Sequence, residues 1–440
     1  MPQPSGLPGA VRDALASREA HRFAASLADE VGPRLAGSPG DAAAGAWAER
    51  TMRSIGLANV HAEPVLVPVW RRGEDRAQIV GAQERVLAVN ALGWSGSTSA
   101  EGIEAEVVRV ATIDELAKLE GDAVRGKIVF VDSAMRRTSD GSGYGEAVPT
   151  RYRAQKLAGE RGAFAALIRS VGTDNLYPHT GSTNRDAVPA LPIGALSNRS
   201  ADLLSSDLAA GPVRMRLVLT SQRLPDERSA NVVGELRGDG KPDEIVLLAA
   251  HLDSWDTGRG AIDDGAGCGV VLDAIRLLAR EKRGRTVRVV LFAAEENSLA
   301  GGKQYAKAHA AELSRIVLAV EVDGGTDRVV AMRFLGDPAN APALRAIAEP
   351  LAPLGVAFSE DRGHSGADIS PLVAQGVPAV DLRQDVSRYF DIHHTAADTS
   401  DKLDAGALAQ VTAVVTHVAL RAADAKISFG RVPAALRERD

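Results

Sequence analysis

Three near-continuous apolar runs, at 245–250, 287–293 and 316–322, constrain this chain more than any other feature. A strand with one face in water alternates apolar and polar residues. A strand apolar throughout is buried on both faces, as parallel strands are between two layers of helices. A further strand reads at 231–236, and helical sequences fall at 266–280, 299–312, 342–352 and 404–424. The alternation from about residue 229 predicts an α/β fold, with a mainly parallel central sheet and helices on both faces.

Ligands in such sheets bind beyond the carboxyl ends of the strands, so the residues that follow each run matter most. After 245–250 come His251 and Asp253, after 287–293 and Ala294 come Glu295 and Glu296, and after 316–322 comes Asp323. One sheet edge therefore collects imidazole and carboxylates, which are costly to bury unless paired or bound to metal. His251 and Asp253 share a face of extended chain, a spacing that suits a ligand histidine whose second ring nitrogen is held by a carboxylate. Adjacent acids such as Glu295 and Glu296 can divide the work, one ligating and the other moving protons.

The segment 258–269, GRGAIDDGAGCG, lies just before a predicted helix. Its glycines permit close backbone approach. One of its two acids reads as a helix N-cap, and Asp263 reads as a metal-bridging carboxylate. A phosphate loop is excluded by the missing G-K-[S/T] ending and by the two acids. The segment 389–399, YFDIHHTAADT, adds His393 and His394 close to Asp398.

Composition narrows the chemistry. With one cysteine in 440 residues, an intrachain disulfide framework and a Cys-rich zinc site are both excluded. Any metal is held by His, Asp and Glu. Cys268 reads as a small buried residue. Of the nine histidines, His21, His61, His309 and His417 fall in predicted helices or a strand and carry no assigned role. A net charge of −6, no basic block and 4% aromatic residues argue against nucleic acid as a partner. No uninterrupted apolar run approaches the ~18–20 residues of a membrane helix, so no membrane partner is expected. Residues 1–30 show no leader pattern.

The chain before residue 229 has two textures. Residues 11–58 read as helical with a break at 32–40, the helix 41–55 ending at Gly56, and 59–70 read as a strand. From 71 to 228, short β-like runs at 105–111, 127–131, 165–168, 189–193 and 213–220 alternate with turn-rich stretches, with one helix at about 150–161. The expected organisation is a discontinuous catalytic domain, 1–70 and 229–440, interrupted by a β-rich inserted domain at 71–228.

HLDSWD at 251–256, GAIDDG at 260–265, AAEEN at 293–297, EVDGGT at 321–326 and HHTAADT at 393–399 resemble the motif set of the di-zinc aminopeptidase-type metallopeptidases. The likeness continues through VRGKIVFVD at 124–132, ALIRSVG at 166–172, YPHTG at 177–181 and GADISP at 366–371, and so spans about 30–420. The insertion resembles a protease-associated domain. The resemblance implies an exopeptidase acting on dipeptides or short peptides, with two zinc ions. His251 and Asp323 would hold one, Glu296 and His394 the other, and Asp263 would bridge them. Glu295 would be general base and acid toward a water shared by the metals, and Asp253 would orient His251. The resemblance further implies a cis peptide between Asp263 and Asp264, a homodimer, and secretion or a periplasmic location, although a cytoplasmic one is compatible with the chain as written. His364 and Tyr389 are candidates for oxyanion stabilisation, and His179 for a substrate contact. Two alternatives are a non-catalytic binding protein on the same scaffold, which would have lost ligands, and a glutaminyl cyclase-like acyltransferase, which uses a single zinc.

Overall fold

The computed structural model describes residues 7–81, 84–187 and 190–437. Among them run two eight-stranded sheets. In spatial order the first contains Ala58–Arg71, Gln222–Leu236, Arg285–Phe292, Lys241–His251, Ile316–Glu321, Ala379–Gln384, Val329–Leu335 and Ala357–Arg362. Its centre is parallel: Lys241–His251 pairs in parallel with both neighbours, and Ile316–Glu321 pairs in parallel with Ala379–Gln384. Antiparallel pairs flank that centre. The α/β class with a mainly parallel central sheet is therefore the architecture observed.

The apolar runs have a direct cause. Side chains alternate across a strand. Val246, Leu248 and Ala250 enter one core, with Ala266–Leu278, Ala405–Ala422 and the N-terminal helices Gly9–Ala16 and Glu19–Ser26. Ile245, Leu247 and Ala249 enter the core on the opposite face, with Tyr305, Ala306, Leu372 and Val373. Both faces are buried, so an apolar residue is favoured at every position of 245–250, and a polar one such as Arg288 in the neighbouring strand needs buried partners. Ala405–Ala422 is long and apolar enough by composition to cross a membrane, but it is buried within this core.

Register brings the ends of the runs together. His251 stands opposite Phe292, and Ala249 opposite Glu321. The residues after each strand consequently emerge at one edge. The strands at 357–362 and 379–384 carry no such apolar signature, because Ala357–Arg362 is largely exposed and AVDLRQ at 379–384 ends in polar residues.

The second sheet orders Arg85–Leu87, Asp75–Val80, Arg214–Leu219, Ile103–Val110, Ile128–Val131, Ala165–Arg169, Ile193–Leu196 and Val89–Ala91. The long antiparallel pair Ala58–Arg71 and Gln222–Leu236 leads into and out of it. Three local expectations shift. The helix expected at 150–161 is Ser142–Glu160, because its first half, SGYGEAVP, reads as turn by its glycines and Pro149. Gly143 is required there, since a Cβ would lie 2.0 Å from the Arg136 carbonyl oxygen. The run at 189–193 is replaced by the strand Ile193–Leu196, and residue 189 lies outside the described residues. The helix expected at 41–55 is Pro39–Ser54, capped by the Ser38 side chain accepting from the Asp41 N–H, with Gly56 at φ +82° just beyond it.

Candidate metal centre and cleft

Asp263 is the hub of the sheet edge. Its Oδ1 lies 3.1 Å from His251 Nε2, and its Oδ2 lies 3.3 Å from His394 Nε2. The two oxygens of one carboxylate thus face two different imidazoles. Glu296 Oε2 stands 3.0 Å from His394 Nε2, and Asp323 Oδ1 stands 3.6 Å from His251 Nε2. Ligand-capable atoms come within 4.8 Å of one another in three groups: His251, Asp263 and Glu296; Asp263, His393 and His394; His251, Asp264 and Asp323. The five residues proposed from sequence as metal ligands all converge here. His393 joins them, its ring stacked on His394 at 3.5 Å and its Nε2 3.6 Å from Asp263.

A surrounding set of hydrogen bonds fixes this geometry. Asp398 accepts from the Ile262 N–H at 2.6 Å and from the Asp263 N–H at 3.2 Å, and so holds the backbone that presents Asp263. Asp264 accepts from Gly267 N–H at 2.8 Å, at the start of the helix Ala266–Leu278, and from His251 N–H at 3.1 Å. It is the capping acid of the pair. The peptide between Asp263 and Asp264 is cis. Asp253 accepts from the N–H groups of Glu295 and Glu296, at 3.0 and 3.3 Å. The Nδ1 of His251 lies 3.1 Å from the Asp253 backbone carbonyl oxygen and 3.6 Å from its carboxylate. The Asp253 carboxylate thus positions the Glu295–Glu296 turn and also faces His251. Ala294 before that turn has φ +59° and His394 has φ +61°, a left-handed backbone that non-glycine residues adopt only where surrounding structure imposes it.

Arg34 closes the arrangement from below. It is fully buried, and its guanidinium donates to the carbonyls of Leu252, Arg259 and Gly260 at 2.5, 2.7 and 2.7 Å. Gly260 has φ +59°, and a Cβ there would meet Ser254 and the Arg34 guanidinium below 3 Å. This explains the glycine that precedes the Asp263 loop.

The electrostatics of the edge are dominated by burial of its acids. Burial, then the Asp263 charge, pushes the Glu296 carboxyl up to about 7. Burial raises Asp323, and it raises Glu295 well above the carboxylate range, with Glu296, Asp323 and Asp368 adding to the effect. Burial would raise Asp263 too, but the imidazoles of His251 and His394 outweigh it and hold this carboxyl well below its usual value. Burial opposes the charge on His394, yet Glu296 and Asp263 lift it to about 9. Too many acids share this edge to ionise together, and a bound cation is the group that would reverse their protonation. Glu296 Oε1 and Asp323 Oδ1 are buried without a hydrogen-bond partner.

The edge opens into a cleft of about 620 Å³. Asp263, Glu295, Glu296, Asp323, Tyr389, His393 and His394 form one wall, and Trp94, Tyr144, Arg151, Tyr152, Ser182 and Arg185 form the other. Tyr389 thus lines the cleft. His364 does not: it is exposed on a loop outside the cleft lining, its N–H donating to Asp381. His179 is buried behind the cleft, its ring against Gly172, and desolvation brings it down to about 4. Arg34 and Arg151 were not read from the sequence, because neither sits in a pattern that separates it from other arginines. Asp398 was visible within HHTAADT, but its backbone contacts to Ile262 and Asp263 were not.

A family model described as Peptidase family M28 matches residues 231–419. Carboxypeptidase Q of Mus musculus is 36% identical over 402 residues, which cover 89% of this chain and 83% of that protein. The chain belongs to peptidase family M28. Carboxypeptidase Q of Homo sapiens is 35% identical over 413 residues, 92% of this chain and 85% of that one. Among solved structures, a peptidase M28 precursor from Shewanella amazonensis SB2B matches with a TM-score of 0.93 at 43% identity, over 96% of this chain and 97% of that chain. An aminopeptidase from Aneurinibacillus sp. strain AM-1 shares the fold, with a TM-score of 0.67 at 21% identity over 98% of each chain. The resemblance read from the five motifs is thereby upheld, and the M28 chain is an enzyme of the metallopeptidase class.

Proposed function

We propose that this M28 enzyme is a di-zinc exopeptidase that hydrolyses dipeptides or short peptides. The observation that carries the reading is the Asp263 carboxylate, whose two oxygens face His251 and His394 separately. His251 and Asp323 would hold one zinc, Glu296 and His394 the other, with Asp263 shared. The donors fit: all are N or O ligands suited to catalytic zinc, and Glu296 and Asp323 each keep a buried oxygen without a protein partner.

Bound zinc supplies acidity to a coordinated water and polarises the scissile carbonyl. The residues do the rest. Glu295 lines the cleft; desolvation raises its carboxyl, and a bound cation would return it to the carboxylate that acts as base. It accepts the proton as water oxygen adds to the carbonyl carbon, then delivers it to the departing amine. Asp253 holds the Glu295 and Glu296 backbone, so base and ligand keep their spacing. The Tyr389 hydroxyl, kept protonated by burial and by the nearby acids, is the donor offered to the developing oxyanion. The inserted segment that carries Tyr144 and Arg151 on the helix Ser142–Glu160 acts as a protease-associated-like cover that restricts the cleft to small substrates, and the working form is a homodimer.

A panel of dipeptides, incubated with the protein and Zn²⁺ with and without a chelator, tests the reading. Chelator-sensitive release of free amino acids is expected. No release from a zinc-loaded protein would overturn it, in favour of a binding function. Metal analysis showing one zinc or none in active protein would overturn the bridged pair.

A further inference from the structure

The two proposed zinc half-sites are held by different parts of the fold. His251 ends the strand Lys241–His251, and Asp323 follows the adjacent parallel strand Ile316–Glu321. The contacts of His251 stay within the first sheet and its loops. Its N–H donates to Asp264, and its Nδ1 lies 3.1 Å from the Asp253 carbonyl oxygen. Among the described residues, no hydrogen bond from the second sheet or its loops reaches His251 or Asp323.

Glu296 and His394 draw on the second sheet as well. Both are met by the loop 180–183, which lies between the strands Ala165–Arg169 and Ile193–Leu196. The Thr180 N–H donates to the His394 carbonyl at 3.0 Å, and the Thr180 carbonyl oxygen stands 3.4 Å from His394 Nδ1. One residue thus holds this ligand at its backbone and at its ring. A proton on Nδ1 aimed at that carbonyl leaves the lone pair on Nε2, the nitrogen that faces Glu296 and Asp263. His394 has φ +61°, so its backbone needs an outside hold. A second donor to its carbonyl, the Thr257 hydroxyl, stands farther off at 3.5 Å. Asp253 holds the Glu296 N–H, and the Ser182 hydroxyl donates to the Glu296 carbonyl at 2.9 Å. Between these two contacts, a Cβ on Gly181 would lie 2.9 Å from His394 Nδ1.

The loop is itself anchored to the second sheet. The Gly93 N–H donates to the Gly181 carbonyl at 3.0 Å, and the Thr183 N–H to the Gly93 carbonyl at 2.9 Å, just after the strand Val89–Ala91. The Thr180 hydroxyl donates to the Ala91 carbonyl at 2.9 Å, and the Thr183 hydroxyl donates to the Arg151 carbonyl at 2.8 Å.

We infer that Thr180 and Ser182 are positioning residues for His394 and Glu296, so that the second sheet sets how tightly one zinc is held and leaves the other to the first sheet. This rests on the di-zinc reading of the site and adds that its two metals depend on different sheets.

The test reads zinc affinity, not turnover. The metal-free full chain is titrated with Zn²⁺ in competition with a chromogenic chelator, and the parent takes up two equivalents. Asp323→Ala leaves the half-site of Glu296 and His394 to be read alone, and His394→Ala leaves that of His251 and Asp323. Ser182→Ala weakens zinc binding about tenfold in the Asp323→Ala background, the low end for loss of a group that orients a ligand. It leaves the His394→Ala background unchanged. Ser182→Thr keeps the hydroxyl and retains the affinity of the Asp323→Ala background. Gly181→Ala, whose methyl meets the His394 ring, weakens the same half-site and spares the other. Equal weakening of both half-sites by Ser182→Ala and Gly181→Ala, or no change in either, overturns the assignment and leaves the di-zinc reading standing. So does a background that binds no zinc, because the half-sites are then not held separately. A parent that takes up one equivalent or none overturns the di-zinc reading and the assignment with it.

Discussion

Replacing Arg34 by Met keeps the length of the side chain and removes its donors. In the structure that guanidinium is fully buried and donates to four backbone carbonyls, those of Leu252, Arg259 and Gly260 at short range and that of Gly32 at 3.4 Å. The Gly260 carbonyl keeps a second donor, the Gly265 N–H at 3.0 Å. The Leu252 and Arg259 carbonyls lose a charged donor. A hydrogen bond to a charged group contributes about 1.5–3 kcal/mol, and an orphaned buried acceptor costs about 1–3 kcal/mol. Removing the buried charge returns part of this loss. The net expectation is a destabilisation of about 3–5 kcal/mol, concentrated in the loop that leads to Asp263. Urea denaturation of parent and variant measures the global cost. Hydrogen exchange at the amides of Arg259, Ile262 and Gly265, whose acceptors lie in this loop and at Asp398, measures the local one. Arg34→Lys, whose point charge reaches fewer carbonyls, falls between the two. A loss below about 1 kcal/mol for Arg34→Met, well under the value of one such bond, with unchanged exchange in the loop, would refute the idea that Arg34 builds this platform.

Glu295→Gln retains its zinc and loses about two to four orders of magnitude in hydrolysis, the usual worth of a positioned general base; near-parent turnover in a steady-state assay contradicts its role. Asp398→Ala frees the N–H groups of Ile262 and Asp263 and weakens zinc binding about tenfold to a hundredfold, as loss of a group that orients a ligand does. Competition with a chromogenic chelator checks this, and an unchanged affinity counts against it. The contact between Glu63 and His309, at 3.0 Å, makes stability depend on pH. The Glu63 hydrogen bond raises His309 above 6.5, so its contribution is complete below that value and is lost as pH rises through the raised one. Burial would raise Glu63 and Glu312, but His309 and Arg288 respectively outweigh it. Their contributions are present above 4.5 and fade as pH falls through the lowered values. The stability deficit of Glu63→Gln is therefore largest between about pH 4.5 and 6.5, and it shrinks above that window. A deficit that does not vary with pH in urea melts would exclude the ion pair.

The legible part of the site follows one physical rule. Val246–Ala250 and its neighbours are apolar on both faces because helices cover both, so each strand announces itself and the polar residue that ends it stands out. His251, Glu295, Glu296 and Asp323 were readable for that reason. Asp263 and His394 lie on loops, and it was the motifs around them that made them visible. The strands at 357–362 and 379–384 were illegible because they face partly into solvent, and the first half of Ser142–Glu160 was hidden by Gly143, Gly145 and Pro149. His364 failed as a site residue because proximity in sequence to Asp368 says nothing about which side of the loop faces the cleft.

The amino-acid order alone determined the parallel core, the exclusion of a disulfide framework and of a Cys-rich zinc site, and the set of N and O donors at one sheet edge, because these follow from residue type and its pattern along the chain. Tertiary structure decided the pairings: that Asp263 turns one oxygen to each imidazole, that Asp264 caps a helix, that Asp253 serves the Glu295–Glu296 turn as well as facing His251, and that Arg151 arrives on the helix Ser142–Glu160. These depend on distances between residues tens to hundreds of positions apart. Only the packed sheets, with their register and crossovers, set such distances.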